Sequence, residues 1–262
     1  MSDIKIVVAA HKKYKMPEDS MYLPLHVGAA GKDSIGFERD DNGVNISVKN
    51  PNYCELTGLY WAWKNLEADY IGLVHYRRYF TVAGNPGKTE EEKFRHVLSE
   101  SEAQLLLLKS PVVLPKKRNY YIENLYDHYK HSMYIEPLDL AGEIIHEKCP
   151  EYYEEFLKLH KRTSAHMFNM MIMRKDILDE YCEWLFPILE ELENRTSSLK
   201  YDAFHARFFG RVSELLLDVF INTKKYSYTE ARVLDMQKIN WLKKGTSFLA
   251  AKFFGKKYSK SF

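Results

Sequence analysis

The sequence predicts an α/β fold, and three observations carry that prediction. Ile4–Ala10 is a continuous apolar run rich in β-branched residues, as in a strand covered on both faces. Tyr70–His75 is a second run of that kind, reached through an aromatic segment with helical spacing. Strand-like and helix-like segments then alternate along the chain, the pattern of a sheet layered with helices.

Taken in order, the first strand ends in His11-Lys12-Lys13. Residues 14–50 are loop-like, with Pro17, Pro24 and several glycines; Tyr22–Val27 and the polar turn Asp40-Asp41-Asn42-Gly43 stand out within them. Pro51 and Asn52 open a helix expected to run to Asn65, with Leu56, Leu59, Tyr60 and Trp63 on one stripe. Tyr70–His75 follows. Residues 84–97 read as an exposed loop leading into a polar helix, and Gln104–Leu108 with Pro111–Leu114 as a strand region. Helices are expected over Ile122–His131, Leu138–Lys148 and Glu151–Lys161. Met167–Met173 is a strand candidate, followed by helices over Ile177–Glu193 and Phe204–Phe220. From Asn240 the chain is basic and aromatic. No repeat and no long linker divides it.

The 262 residues suffice for one large domain or two small ones. A net charge of +2 argues against a general polyanion binder. No apolar run approaches the ~18 residues of a membrane span, and the N-terminus lacks a signal-peptide layout, so a cytoplasmic protein is expected. Cys54, Cys149 and Cys182 form no CxxC or zinc pattern and read as reduced, buried thiols.

The candidate chemistry starts at the end of the second strand, where His75, Tyr76, Arg77 and Arg78 form a basic cluster. Ligands of α/β sheets bind at strand ends, and guanidinium groups suit phosphate. Neighbouring residues on a strand face opposite ways, so one arginine at most reaches a ligand unless the chain turns there. Solvated charge for the arginines, and a core role for His75, stay open. Glu55 and Thr57 lie in the first turn of the aromatic helix, where a carboxylate also suits the helix dipole. Trp61, off the apolar stripe, is a candidate wall for a sugar. In RFFGRVSELLL, Ser213 reads as a helix cap with Glu214 at the first helical position, either a capping pair or a carboxylate aimed into the cleft as a general base. His128 and His131 share a helix face; no third metal ligand accompanies them. The chain has no Asp-x-Asp, GxGxxG, GxxxxGK[ST] or GxSxG. The tail carries Lys243, Lys244, Lys252, Lys256, Lys257 and Lys260 among aromatics, which suits either a packed helix or an anionic membrane surface.

Several stretches together resemble a bacterial family of capsular and exopolysaccharide gene clusters, long described as a domain of unknown function. They are NISVKNPNYCELTGLYWAWKN, GLVHYRRYF, VLPKKRNYYIENLYDHYKH, FNMMIM with DEYCEWLFPILEELE, and NWLKKG. Members look like glycosyltransferases, some associated with galactofuranose transfer from UDP-galactofuranose. The family pattern near RVFGFxSERLL is RFFGRVSELLL here: Arg207, Gly210, Ser213 and Glu214 keep their places, whereas Arg211 replaces an aromatic and Leu215 an arginine. The resemblance implies a GT-A-like nucleotide-sugar-binding sheet flanked by helices over residues 1–239, with a helical C-terminal part, and a possible membrane-docking tail over residues 240–262. It implies an inverting transfer from a UDP-sugar to a polyprenyl-linked glycan at the inner membrane face. Glu214 would be the base, with Asp202 as second choice. His11, Lys12, Glu55, Thr57, Trp61, His75, Arg77 and Arg78 would bind the donor, and His128, His131 and Arg207 the acceptor. No metal ligand is assigned; HYRR stands where Asp-x-Asp is usual, and a divalent ion is left open as a cofactor. A non-catalytic nucleotide-sugar- or glycan-binding protein is the alternative. No nucleic-acid partner is expected.

Overall fold

The computed structural model describes residues 2–237. The first half of the described chain contains β1 (Ile4–Ala10), β2 (Tyr22–His26), β3 (Glu38–Arg39), α1 (Asn50–Tyr53), α2 (Leu56–Asn65), β4 (Tyr70–His75), β5 (Arg78–Thr81), α3 (Glu90–Phe94), α4 (Glu100–Leu107), β6 (Val112–Pro115) and β7 (Arg118–Asn119). The second half adds α5 (Leu125–Ser132), α6 (Glu136–Lys148), α7 (Tyr153–Lys161), β8 (Ser164–Ala165), β9 (Met171–Arg174), α8 (Lys175–Thr196), α9 (Phe208–Lys224) and β10 (Thr229–Asp235). The α/β expectation holds as a mixed sheet covered by helices.

The strands β3-β2-β1-β4 run parallel, with Val7 opposite Leu23 on one side and Leu73 on the other. β9 pairs antiparallel with β4 along Tyr70–Leu73, and the β4–β5 hairpin begins at His75. β9, β6, β10 and β5 are joined in turn, so their pairings lead back to β4. Gly72 is needed where β4 is squeezed. A Cβ there would lie 2.9 Å from the Met171 carbonyl and 3.1 Å from Ile6 Cγ1.

The sheet's two faces explain the apolar runs. Val7 and Ala9 join the larger core with α2 and α5–α9. Ile4, Ile6, Val8 and Ala10 join a second core beneath α3 and α4. Each fully buried Ile or Val contributes roughly 1.5–3 kcal/mol relative to an exposed one. β1 therefore has no polar face to alternate with.

Three expectations need correction. The helix over Pro51–Asn65 is broken: α1 ends at Tyr53, and Cys54 adopts φ 54° before α2 begins at Leu56. Gln104–Leu108 is not strand but the end of α4 and its cap, because Ser99 and Glu102 form a capping box that starts a helix there. Ser213 is no helix cap, since α9 starts at Phe208 and Ser213 and Glu214 are its sixth and seventh residues.

The chain moves from β1 outward to β2 and β3, then returns to place β4 on the other side of β1. This reversal makes the β1–β4 carboxyl ends a switch point, where the sheet opens a crevice for ligands.

Candidate functional site

The crevice is positively charged. His11 and Lys12 follow β1, and Tyr76-Arg77 form the tight turn between β4 and β5. The turn resolves the constraint on adjacent arginines: Arg77 sits in the turn and Arg78 starts the next strand. The loop from β2 brings Lys32, and the approach to α9 brings Arg207. Burial lowers the His11 pKa, and Lys12, Arg77, Lys32 and Arg207 lower it further through their charges. An aromatic bed lies beneath. Tyr14 and Tyr76 stack at 3.8 Å, His11 meets Tyr76 edge-on at 5.3 Å, and the Arg77 guanidinium lies 5.2 Å over the Tyr76 ring. Burial would raise the Tyr14 pKa, but Lys12, Tyr76 and Arg77 outweigh it and lower it. Among the described residues, Arg78 alone of these cations is paired with a carboxylate, Asp235 at 3.4 Å. Cations clustered in excess of nearby carboxylates are the electrostatic condition for capturing an anion.

A polar floor adjoins this group. Phe168 and Asn169 both take positive φ, 79° and 51°. Left-handed backbone is unfavourable for a bulky residue, and such strain persists only where the surroundings enforce it. Here they do. Asn169 Nδ2 donates to Glu55 Oε1 (2.6 Å) and to the Gly210 carbonyl (2.9 Å), while Asn169 Oδ1 accepts from Ser213 Oγ (3.1 Å). The Phe168 carbonyl accepts from His75 Nε2 at 2.6 Å, and the Arg78 guanidinium covers the Phe168 ring at 4.5 Å. A carbonyl can only accept, so Nε2 carries the proton and Nδ1 is left as an acceptor. Burial lowers the His75 pKa and keeps the ring neutral. One strained turn thus ties together the start of α2, the β4–β5 hairpin and α9.

Glu214 projects from α9 toward the same place. Burial pushes its carboxyl up to about 7; the Glu55 charge adds to this, and Arg211, Arg78 and Arg118 oppose it. A carboxyl near 7 exchanges its proton at working pH, as a general base or acid must. Arg207 Nε donates to Cys54 Sγ at 2.9 Å, and burial raises that thiol to about 11, so Cys54 is a neutral acceptor rather than a nucleophile.

The structure brings together His11, Lys12, Glu55, His75, Arg77, Arg78 and Glu214, and Arg207 lies close enough for its charge to act on His11. Thr57 and Trp61 do not face the crevice. Thr57 is fully buried and donates to Asp40 Oδ2 at 2.7 Å. Asp40 also accepts from the Gly28 and Ala29 amides, so Thr57 acts by bracing the loop that leads to Lys32. Trp61 is 6% exposed and its Nε1 donates to the Asn42 carbonyl; the 40–45 loop covers the face that the helical stripe leaves bare. Asp202 caps a turn, accepting from the Phe204 and His205 amides and pairing with His205 Nδ1 at 2.6 Å. His128 and His131 both face the buried carboxylate of Glu123, at 3.5 and 2.9 Å. Their helix borders the crevice through Tyr129, which senses Arg211 and Glu214. Among the described residues, no three His, Cys, Asp or Glu side chains are grouped to hold a metal ion. Lys32 and Asn169 adjoin this group and were not singled out in the sequence.

A family model described as a domain of unknown function (DUF4422) matches residues 5–225. The chain belongs to this family. No curated protein matches it. Among solved structures, the apo structure of the WbbM bifunctional glycosyltransferase is similar over 90% of this chain, with 33% identity and a TM-score of 0.82. The chain spans 46% of that protein, about half its length. Among the described residues, no helix is long and apolar enough to cross a membrane.

Proposed function

We propose that the chain is a glycosyltransferase with a GT-A-like sheet, transferring a sugar from a UDP-sugar to a glycan acceptor with inversion. One observation carries the reading: a cluster of cations at the β1–β4 switch point lies beside a carboxyl whose pKa is raised to about 7. Similarity to the WbbM structure supports it. Family resemblance favours galactofuranose as the sugar and a polyprenyl-linked acceptor at the inner membrane face.

In this mechanism the diphosphate lies across Lys12, Lys32, Arg77 and Arg207, with Arg78 at its edge. Glu214 removes the acceptor hydroxyl proton, and the oxygen attacks the anomeric carbon. The bond to the diphosphate breaks, and UDP leaves with the electron pair. Preorganised cations stabilise that developing charge, as a divalent ion does elsewhere. The strand end that would offer carboxylates to such an ion presents HYRR, so the residues do not fit a metal there. Asn169 holds Glu55 in place, and neutral His75 offers Nδ1 as a hydrogen-bond acceptor. The Tyr14–Tyr76 stack lies under the cations and holds the Arg77 guanidinium over the Tyr76 ring. The tail from residue 240 lies outside the described residues and remains, in this reading, a membrane-docking segment.

The test is a panel of UDP-sugars, UDP-galactofuranose included, incubated with the protein and lipid-linked acceptors and read by product mass. Transfer from one donor supports the proposal. Tight UDP-sugar binding without transfer to any acceptor would favour a non-catalytic binding protein.

A further inference from the structure

The short β7–β8 ribbon projects a loop whose tip is apolar and whose base is basic. The backbone is fastened at both ends: the Tyr120 amide donates to the Thr163 carbonyl and the Leu125 amide to the Arg162 carbonyl, each at 2.8 Å. Between them the Tyr121 amide donates to Asn119 Oδ1 (2.8 Å) and the Ile122 amide to the Tyr120 carbonyl (2.6 Å). Tyr121 takes φ 55°. The result is two consecutive large side chains facing water, Tyr121 at 85% exposure and Ile122 at 63%. Neither contributes to a core, yet the loop is built, with strain at an aromatic residue, to hold them out.

Charge surrounds them. Lys116, Lys117 and Arg118 lead into the loop, and Lys161 and Arg162 end the adjoining helix, with no acidic residue within 116–122 or 161–166. Arg162 pairs with Glu155 at 2.9 Å, and Lys117 donates to the Tyr228 hydroxyl. Glu123, next along, is buried against His131. Cations near an anionic surface gain electrostatically, while an aromatic and an aliphatic tip insert at the headgroup level.

We infer that the 120–122 loop is a membrane-contact tip, seating Tyr121 and Ile122 in an anionic phospholipid bilayer with the β7–β8 cations on its headgroups. A soluble polyanion would use the cations but leave the apolar pair unexplained. The inference stands on this surface and needs neither the tail nor the catalytic reading. If the catalytic reading holds as well, Arg118 links the two, because its charge reaches Glu214. The bilayer would then face the side of the crevice where the acceptor hydroxyl must arrive.

The full chain carrying Tyr121→Trp reports insertion directly, read as a difference from the parent's four tryptophans. With vesicles containing anionic phospholipid, its added emission should shift to the blue and be quenched by brominated acyl chains. Neutral vesicles should leave it unchanged. The double variant Tyr121→Ser/Ile122→Ser should partition into anionic vesicles about tenfold less while keeping its circular dichroism and melting temperature. The idea is overturned if the Tyr121→Trp protein binds vesicles while the emission of its introduced indole stays unquenched, since another surface then docks. It is equally overturned if the double variant binds as tightly as the parent, or if only a soluble acidic polysaccharide, and no vesicle, is bound.

Discussion

Replacing Glu214 with glutamine should lower turnover and raise stability in the same protein. The carboxyl is pushed up from an ordinary 4.5 to about 7, chiefly by burial on α9. The folded state therefore holds the proton more tightly than the unfolded state does. Stability from this group is fully present below about pH 4.5 and is lost as pH rises toward 7. The gap of about 2.5 pH units corresponds to roughly 3 kcal/mol above pH 7, and partial contact with water trims that figure. Glutamine keeps the shape and carries no charge. Thermal unfolding should accordingly give a melting temperature for Glu214→Gln that matches the parent near pH 4.5 and exceeds it by about 5 °C or more at pH 8. Parent kcat/KM should rise with pH through about 7, and the variant should lose ~10²-fold or more in kcat with UDP affinity nearly unchanged. Equal melting temperatures at both pH values would show a solvated carboxylate. Retained turnover would dismiss Glu214 as the base and turn attention to Asp202.

Arg77→Gln should cost about 2–4 kcal/mol of transition-state stabilisation, read as kcat/KM, because one preorganised donor to the leaving diphosphate is lost. Asn169→Gly keeps the left-handed backbone accessible but removes the hold on Glu55 and Ser213; kcat should fall, whereas unchanged kcat with only a lower melting temperature would make Asn169 purely structural. Thr57→Val strips one donor from buried Asp40 and should destabilise by roughly 1–3 kcal/mol in denaturant titration. It should raise donor KM more than it lowers kcat, because the loop carrying Lys32 loosens; a KM equal to the parent's would separate that loop from the donor.

The central strands were legible because both their faces are buried, so β1 and β4 read as apolar runs with the correct ends. β5 and β10 escaped notice: RYFT and TEARVLD mix charge with apolar residues and pair antiparallel with each other next to β4. The Gln104–Leu108 run looked like a strand although the Ser99–Glu102 capping signal was present upstream. In the site, the cations at strand ends could be read from order alone. Asn169 could not, since FNMMIM looks like uninterrupted strand and only the fold shows two left-handed residues ahead of β9. Glu214 read as the start of a helix, whereas it lies inside α9, where burial raises its pKa. Thr57 and Trp61 were misplaced because a helical stripe does not reveal that a loop, pinned by Asp40 and Asn42, covers the other flank.

The claim that side-chain cations take over the diphosphate is tested most directly by UDP release from the parent protein with donor and acceptor in excess EDTA. Acceptor-dependent release should run at the same rate with and without the chelator, with a large loss in Arg77→Gln under both conditions. Release that stops in EDTA and returns only with added divalent metal would contradict it.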